Sequence, residues 1–240
     1  MQVSGKTILL TGGTNGIGRE MADQLKTKGA NVITTGRNPE RVAEMREKGF
    51  EVIEADLSDG TGVDALVAAV DGKDIDVLIN NAGQLADHDF RASSPDADVS
   101  DAAVYSNLSA PIRLIVGLME KLKARPEAAI VNVTSGLAIS PAAGSPVYCA
   151  TKSGLRFYTL GLREQLKDTN IHVIEALPPV VDTQMNDGRD AKKMSPQECA
   201  RQIVEALETN ANEANIGMTK ALRVLEGIHP SLARRMTLKF

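Results

Sequence analysis

Apolar residues gather along the chain in short unbroken runs, each followed by a longer stretch in which they recur every three or four positions. The short runs fall at 6–10 (KTILL), 31–35 (NVITT), 50–54 (FEVIE), 76–79 (DVLI), 129–133 (AIVNV) and 171–176 (IHVIEA), with a weak one near 215–218. Runs of this kind, continuous rather than alternating, predict strands buried on both faces, as in a parallel sheet covered by helices. The periodic stretches predict helices near 16–28, 39–48, 61–71, 98–124, 147–168 and 195–209. Their punctuation agrees: Gly29 follows Lys28 as a helix stop, Asn38-Pro39 opens a helix, and Ser195-Pro196 opens another with Glu198 placed for a capping box. The repeated strand–helix order predicts an α/β fold: a doubly wound, Rossmann-type parallel sheet of seven strands with helices on both faces. No linker or repeat interrupts it, so residues 1–240 are expected to form one dinucleotide-binding and catalytic domain.

Composition narrows the classes of function. Hydrophobic residues make up 42% of the 240 and charged residues 24%, as in ordinary globular chains. Tryptophan is absent, so the core must be built from Ala, Val, Ile and Leu. The net charge is −4 and the basic residues read as scattered, which argues against a nucleic-acid partner. Cys149 and Cys199 form no metal-binding or redox motif and read as free thiols of a reducing compartment. His88, His172 and His229 lie too far apart to suggest zinc. The run at 8–10 is too short for a secretory segment, and no stretch approaches the roughly 18 apolar residues of a membrane span. The expectation is a cytoplasmic protein without a membrane span.

Three local patterns carry chemistry. Thr11-Gly12-Gly13-Thr14-Asn15-Gly16-Ile17-Gly18 lies between the first strand and the first helix. There, glycines let the backbone approach a diphosphate, and the helix N-terminus offers free N–H groups and the positive end of its dipole. The second strand ends in Thr35-Gly36-Arg37. Where an NAD-binding fold places an acid against the ribose hydroxyls, this chain has Gly36 and then a guanidinium able to pair with a 2′-phosphate. NADP(H) is the expected cofactor, with NAD possible; the alternative is that Arg37 is simply solvated. Finally, Tyr148 and Lys152 stand four apart on one helix face, where an ammonium favours the phenolate. Ser135 follows a strand end, where open α/β sheets bind ligands; serine is also an ordinary turn residue there.

Taken together these residues resemble the short-chain dehydrogenase/reductase family, in its compact single-domain branch. Gly12, Thr14, Asn15, Gly16, Ile17 and Gly18 match its cofactor loop, and Asp56-Leu57 matches the acid that meets adenine. Asn80-Asn81-Ala82-Gly83 matches its segment after the fourth strand, and Asn107, Ser135, Tyr148 and Lys152 match its catalytic set. The resemblance implies that Tyr148 donates a proton to a ketone oxygen, or accepts one from a secondary alcohol. It implies that Ser135 holds that oxygen, Lys152 binds the nicotinamide ribose, and Asn107 holds a water. Pro111, lacking an N–H, deprives the Asn107 carbonyl of its helical partner, which suits that last role.

Pro178, Val181 and Thr183 match positions facing the nicotinamide, although Pro179 stands where the family has a glycine. Loops 84–97, 136–147 and 182–195 should line a partly apolar substrate pocket through Leu85, Leu137, Ile139, Met185 and Met194. Asp87, Asp89, Asn186 and Asp187 should add polarity, and His88 and Arg91 are loop residues within reach. A small-molecule carbonyl or alcohol is the expected partner, and the protein a homodimer or homotetramer. Leu114, Leu118, Leu122, Phe157 and Leu160 would then either pair across a two-fold axis or face this chain's own sheet. The competing reading is a non-catalytic NADP(H)-binding regulator. A Ser-His hydrolase is disfavoured, because no Gly-x-Ser-x-Gly elbow occurs.

Overall fold

A computed structural model describes residues 1–91, 96–188 and 192–239. The strands are β1 (Thr7–Leu10), β2 (Asn31–Gly36), β3 (Glu51–Glu54), β4 (Val77–Asn80), β5 (Ala128–Val133), β6 (Ile171–Leu177) and β7 (Glu213–Asn215). They form one seven-stranded sheet in the order β3-β2-β1-β4-β5-β6-β7, every neighbouring pair parallel. Helices α1 (Gly16–Thr27), α2 (Pro39–Glu47) and α7 (Pro196–Glu208) bury Met21, Leu25, Val42, Met45 and Ile203 on one face. Helices α3 (Gly60–Ala69), α5 (Ala110–Lys123) and α6 (Pro146–Leu166) bury Val63, Leu66, Leu114, Leu118 and Leu162 on the other. The strand order reverses direction between β1 and β4, and the crevice outside their C-terminal ends is where such sheets bind ligands.

The helix starts follow their sequence signals. Asn38 accepts from the Arg41 N–H at 2.9 Å, and Ser195 accepts from the Glu198 N–H at 3.3 Å. The Glu198 carboxylate turns to Arg201 and Gln202, so only half of the expected capping box forms. Gly29 takes φ +84°, the left-handed turn that ends α1.

Several expectations need correction. The helix read at 98–124 is α4 (Ala97–Val104), a π-helical turn at Tyr105–Ser109 and then α5. Pro111 cannot supply an N–H to the preceding turn, and the backbone widens just before it. Taken as one helical stretch, Ala97–Lys123 is long enough to cross a membrane and has an 18-residue window of mean hydropathy 1.3. That corrects the expectation that no stretch approaches such a length, although Leu114, Ile115, Leu118 and Leu122 lie buried against the sheet. Those leucines therefore face this chain's own core, whereas Val116, Phe157 and Leu160 are exposed. The last strand sits at Glu213–Asn215 rather than 215–218, because the chain turns away at Gly217 (φ +52°). Two unforeseen helices follow, α8 (Thr219–Ile228) and α9 (Pro230–Thr237).

Candidate active site

The C-terminal ends of β1, β2, β4, β5 and β6 open onto a cleft of about 500 Å³. Gly12, Thr14, Asn15, Gly16, Ile17 and Gly18 form its floor, and Arg37, Asp56 and Leu57 line one end. Asn81, Ala82, Gly83, Ser135, Tyr148, Lys152, Pro178, Val181 and Thr183 line the rest. Asn107 is fully buried behind this wall. The loop is fastened from below. The Thr11 hydroxyl accepts from the N–H groups of Asn81 and Ala82, both at 3.0 Å, and the Asn81 amide donates to the Thr11 carbonyl at 3.0 Å. Gly16 takes φ +54°, which an L-residue tolerates poorly, and lies against Thr183 on the opposite wall.

The cleft floor suits a dinucleotide on two observations. No side chain caps the N-terminus of α1 at Asn15, and its first turn carries no acid, so its N–H groups present an uncompensated anion site. A side chain at position 36 has no room, since an added Cβ would lie 2.4 Å from Thr14 Cγ2. No acid can therefore stand there, and exposed Arg37 occupies the rim, 3.7 Å from Asp56 Oδ2.

On the other wall, the Ser135 Oγ accepts from the Leu137 N–H at 3.1 Å as it caps the short 3₁₀ turn Gly136–Ala138. The Gly136 N–H donates to the Pro178 carbonyl at 2.9 Å, tying this turn to the end of β6. Lys152 is buried, with its Nζ donating to the Val133 carbonyl at 2.8 Å and lying 5.7 Å from the centre of the Tyr148 ring. Burial pushes the Lys152 pKa down to about 8. At pH 7 the ammonium therefore prevails, by roughly ten to one. The Asn107 side chain clamps Gln84, accepting from its N–H and donating to its carbonyl, both at 2.9 Å. It also donates to Thr151 Oγ1 at 3.1 Å, and Thr151 donates to the Tyr148 carbonyl at 2.8 Å. A proton donor, an ammonium and a fixed hydroxyl thus share the cleft with an anion-binding helix end.

A family model described as short chain dehydrogenase matches residues 6–194. The chain belongs to the short chain dehydrogenase family. It is 36% identical over 233 residues to the uncharacterized oxidoreductase DltE of Bacillus subtilis (strain 168), spanning 93% of this chain and 92% of that protein. Among solved structures it is similar to a short chain dehydrogenase from Burkholderia cenocepacia J2315 in complex with NADP. The TM-score is 0.87 and the identity 25%, over 99% of both chains. It is also similar to L-sorbose reductase from Gluconobacter frateurii complexed with NADPH and L-sorbose. There the TM-score is 0.74 and the identity 25%, over 86% of this chain and 91% of that one.

In this short chain dehydrogenase, some residues that bear on the cleft carry little signal in the sequence. The Arg41 Nη2 donates to Gln184 Oε1 at 2.9 Å, bridging α2 to the segment after β6 across the cleft mouth. The only sequence signal was the first-turn position of Arg41 after Asn38; Gln184 is 143 residues away. Of the expected pocket residues, Leu85, Met185 and Asn186 line the cleft, whereas Leu137, Ile139, Met194, Asp87, Asp89 and Asp187 do not. The stretches 92–95 and 189–191 of the expected loops lie outside the described residues. Asp87 instead bonds the Ser145 hydroxyl, and the His88 N–H donates to the Gly144 carbonyl at 3.2 Å, joining two loops beside the cleft. Arg91 is exposed and pairs with Asp89 in its own loop. The Pro178–Pro179 turn forms without a positive φ, since Asn210 alone among the described non-glycine residues has one. Both cysteines are buried; the Cys149 Sγ accepts from the Ala142 N–H at 3.3 Å, and burial pushes the Cys199 thiol up to about 12.

Proposed function

We propose that this short chain dehydrogenase interconverts a ketone and a secondary alcohol with NADP(H) as redox partner. The observation that carries the reading is the gathering of Ser135, Tyr148 and Lys152 in one cleft with the uncapped N-terminus of α1. The bound dinucleotide supplies or takes the hydride; the protein supplies position and the proton. In reduction the Tyr148 hydroxyl donates its proton to the carbonyl oxygen as the adjoining carbon gains the hydride, and Ser135 Oγ holds that oxygen. Lys152, anchored through Val133, uses its remaining N–H groups on the nicotinamide ribose and favours the Tyr148 phenolate left behind. Asn107 holds a water through the main-chain carbonyl that Pro111 deprives of a partner, and this water relays protons between Lys152 and solvent.

Gly12, Thr14, Asn15, Gly16, Ile17 and Gly18 cradle the diphosphate, while Asp56 and Leu57 meet the adenine. Asn81, Ala82, Gly83, Pro178, Val181 and Thr183 hold the nicotinamide half. Arg37 selects the 2′-phosphate, a reading supported by the closed space at Gly36. The protein works as one domain in the cytoplasm.

A panel of ketones and secondary alcohols followed by NADPH absorbance tests this reading. Turnover with NADPH should exceed turnover with NADH. Tyr148→Phe should lower kcat by at least about a hundredfold while leaving NADPH affinity within twofold, since a general acid is worth about 10² to 10⁴. NADPH binding without turnover across the panel would support a cofactor-binding regulator instead.

A further inference from the structure

The two helices after β7 are built unlike the rest of the surface. On their inner side Thr219, Ala233 and Thr237 are buried, and the Thr237 hydroxyl bonds Ser140 at 2.9 Å. Their outer side is apolar and open to solvent. Val224 is 62% exposed and Ile228 78%, four residues apart on α8; Leu232 and Met236 repeat that spacing on α9, and Met218 precedes the pair. Among the described residues, six of thirteen exposed large apolar side chains fall between 218 and 238. A grouping this dense marks an interaction surface rather than ordinary scatter.

Charge points to the partner. Lys220 and Arg223 share α8 with Val224, Arg223 also pairing with Glu213 at 3.3 Å, and Arg235 of α9 and Lys239 just beyond it follow Leu232 and Met236 by three residues. Residues 219–240 hold five Lys and Arg against one acid, Glu226, a net +4 in a chain of net −4. The remaining 218 residues therefore carry −8, so this end, with its single acid, is net basic in an otherwise acidic chain. An amphipathic helix with basic residues flanking its apolar stripe is the chemistry of an anionic lipid interface. A second copy fits less well, because a two-fold contact sets this basic patch against itself.

We propose that the α8–α9 hairpin docks the protein on an anionic lipid surface. Val224, Ile228, Leu232 and Met236 enter the headgroup–acyl boundary, and Lys220, Arg223, Arg235 and Lys239 sit at the headgroups. No span of the bilayer is involved, and the C-terminal ends of the strands stay in water.

Co-sedimentation of the full chain with vesicles tests this. The protein should bind vesicles of phosphatidylcholine and phosphatidylglycerol in equal parts and ignore vesicles of phosphatidylcholine alone. Raising the salt to about 1 M, where screening acts within about 3 Å, should weaken the binding. Arg235→Gln with Lys239→Gln should weaken it about twenty-fivefold, near fivefold for each basic residue removed. Val224→Ser with Ile228→Ser should weaken it at least tenfold. Both double variants should keep the parent melting temperature and NADPH turnover. No binding to the mixed vesicles, equal binding to both kinds, or parent-like binding by both double variants overturns the proposal. A lipid-free mass that falls in Val224→Ser/Ile228→Ser also overturns it and gives this face to a second copy.

Discussion

Lys152 spends stability to serve the cleft. Its ammonium is buried against the Val133 carbonyl, and desolvation lowers its pKa from 10.5 to about 8. A shift of that size corresponds to about 3 kcal/mol withheld from the folded state while the group is charged. Between pH 8 and 10.5 the unfolded chain holds more protons than the folded one, so stability should rise with pH across that window. Below it the penalty is present in full. Lys152→Met should therefore melt higher than the parent near pH 7, by up to about 3 kcal/mol in stability, and converge on it by pH 10.5, with turnover lost at every pH. Parallel melting curves for the two proteins from pH 7 to 10.5 would show that the lysine is not strained. The four-residue spacing of Tyr148 and Lys152 was legible because a helix turns in 3.6 residues. The burial of Lys152 was not, because it depends on β5 lying beneath α6. Asn107 shows the same limit: its type and position were readable, but its clamp on Gln84 and Thr151 joins three distant segments.

Helix α6 is joined to the sheet by a second tie that no local pattern announces. One turn beyond Lys152, Arg156 Nη1 donates to Glu175 Oε2 of β6 at 2.5 Å, and its Nη2 reaches Glu213 at 3.0 Å. Glu175 also accepts from the Thr134 hydroxyl at 2.7 Å, next to Ser135. Burial outweighs these partners and raises the Glu175 pKa, the mark of a charge in a poorly solvated place. Removing the guanidinium strands the buried Glu175 carboxylate, whereas Arg156 would keep Glu213, so Arg156→Met should cost about 3–5 kcal/mol in denaturant unfolding. Replacing both, as in Arg156→Met with Glu175→Leu, should recover most of that loss, because an apolar pair of similar volume is often neutral. Equal losses in the two variants would mean that desolvation does not govern this pair. Sequence pattern placed β5, β6 and α6 well, since long apolar periods report burial directly. It missed the π turn, because Tyr105–Ser109 keeps a helical spacing while changing its hydrogen bonds. It missed α8 and α9 as well, whose periods are short and whose apolar stripes face outward.

At the scale of the molecule, the sheet's order and its two helical layers follow from alternating strands and helices, and the cleft follows from the switch between β1 and β4. Assembly does not, because it depends on which apolar side chains the fold leaves uncovered. Leu114, Leu118 and Leu122 are spent on this chain's own core. Val116 of α5 is 70% exposed and Phe157 of α6 74%, and Leu160, one turn along α6 from Phe157, is exposed too. A two-fold axis beside α5 and α6 would cover these three side chains with their own copies. The protein is accordingly expected to be a dimer or a tetramer through this face. A large aromatic at the centre of an interface is a common hot spot, worth about 2 kcal/mol or more. Phe157→Glu should therefore lower the mass seen by light scattering by half at micromolar concentration, with circular dichroism unchanged because the side chain touches little of its own core. An unchanged mass would assign assembly to another surface, and a monomeric parent would leave Phe157 as an isolated exposed ring.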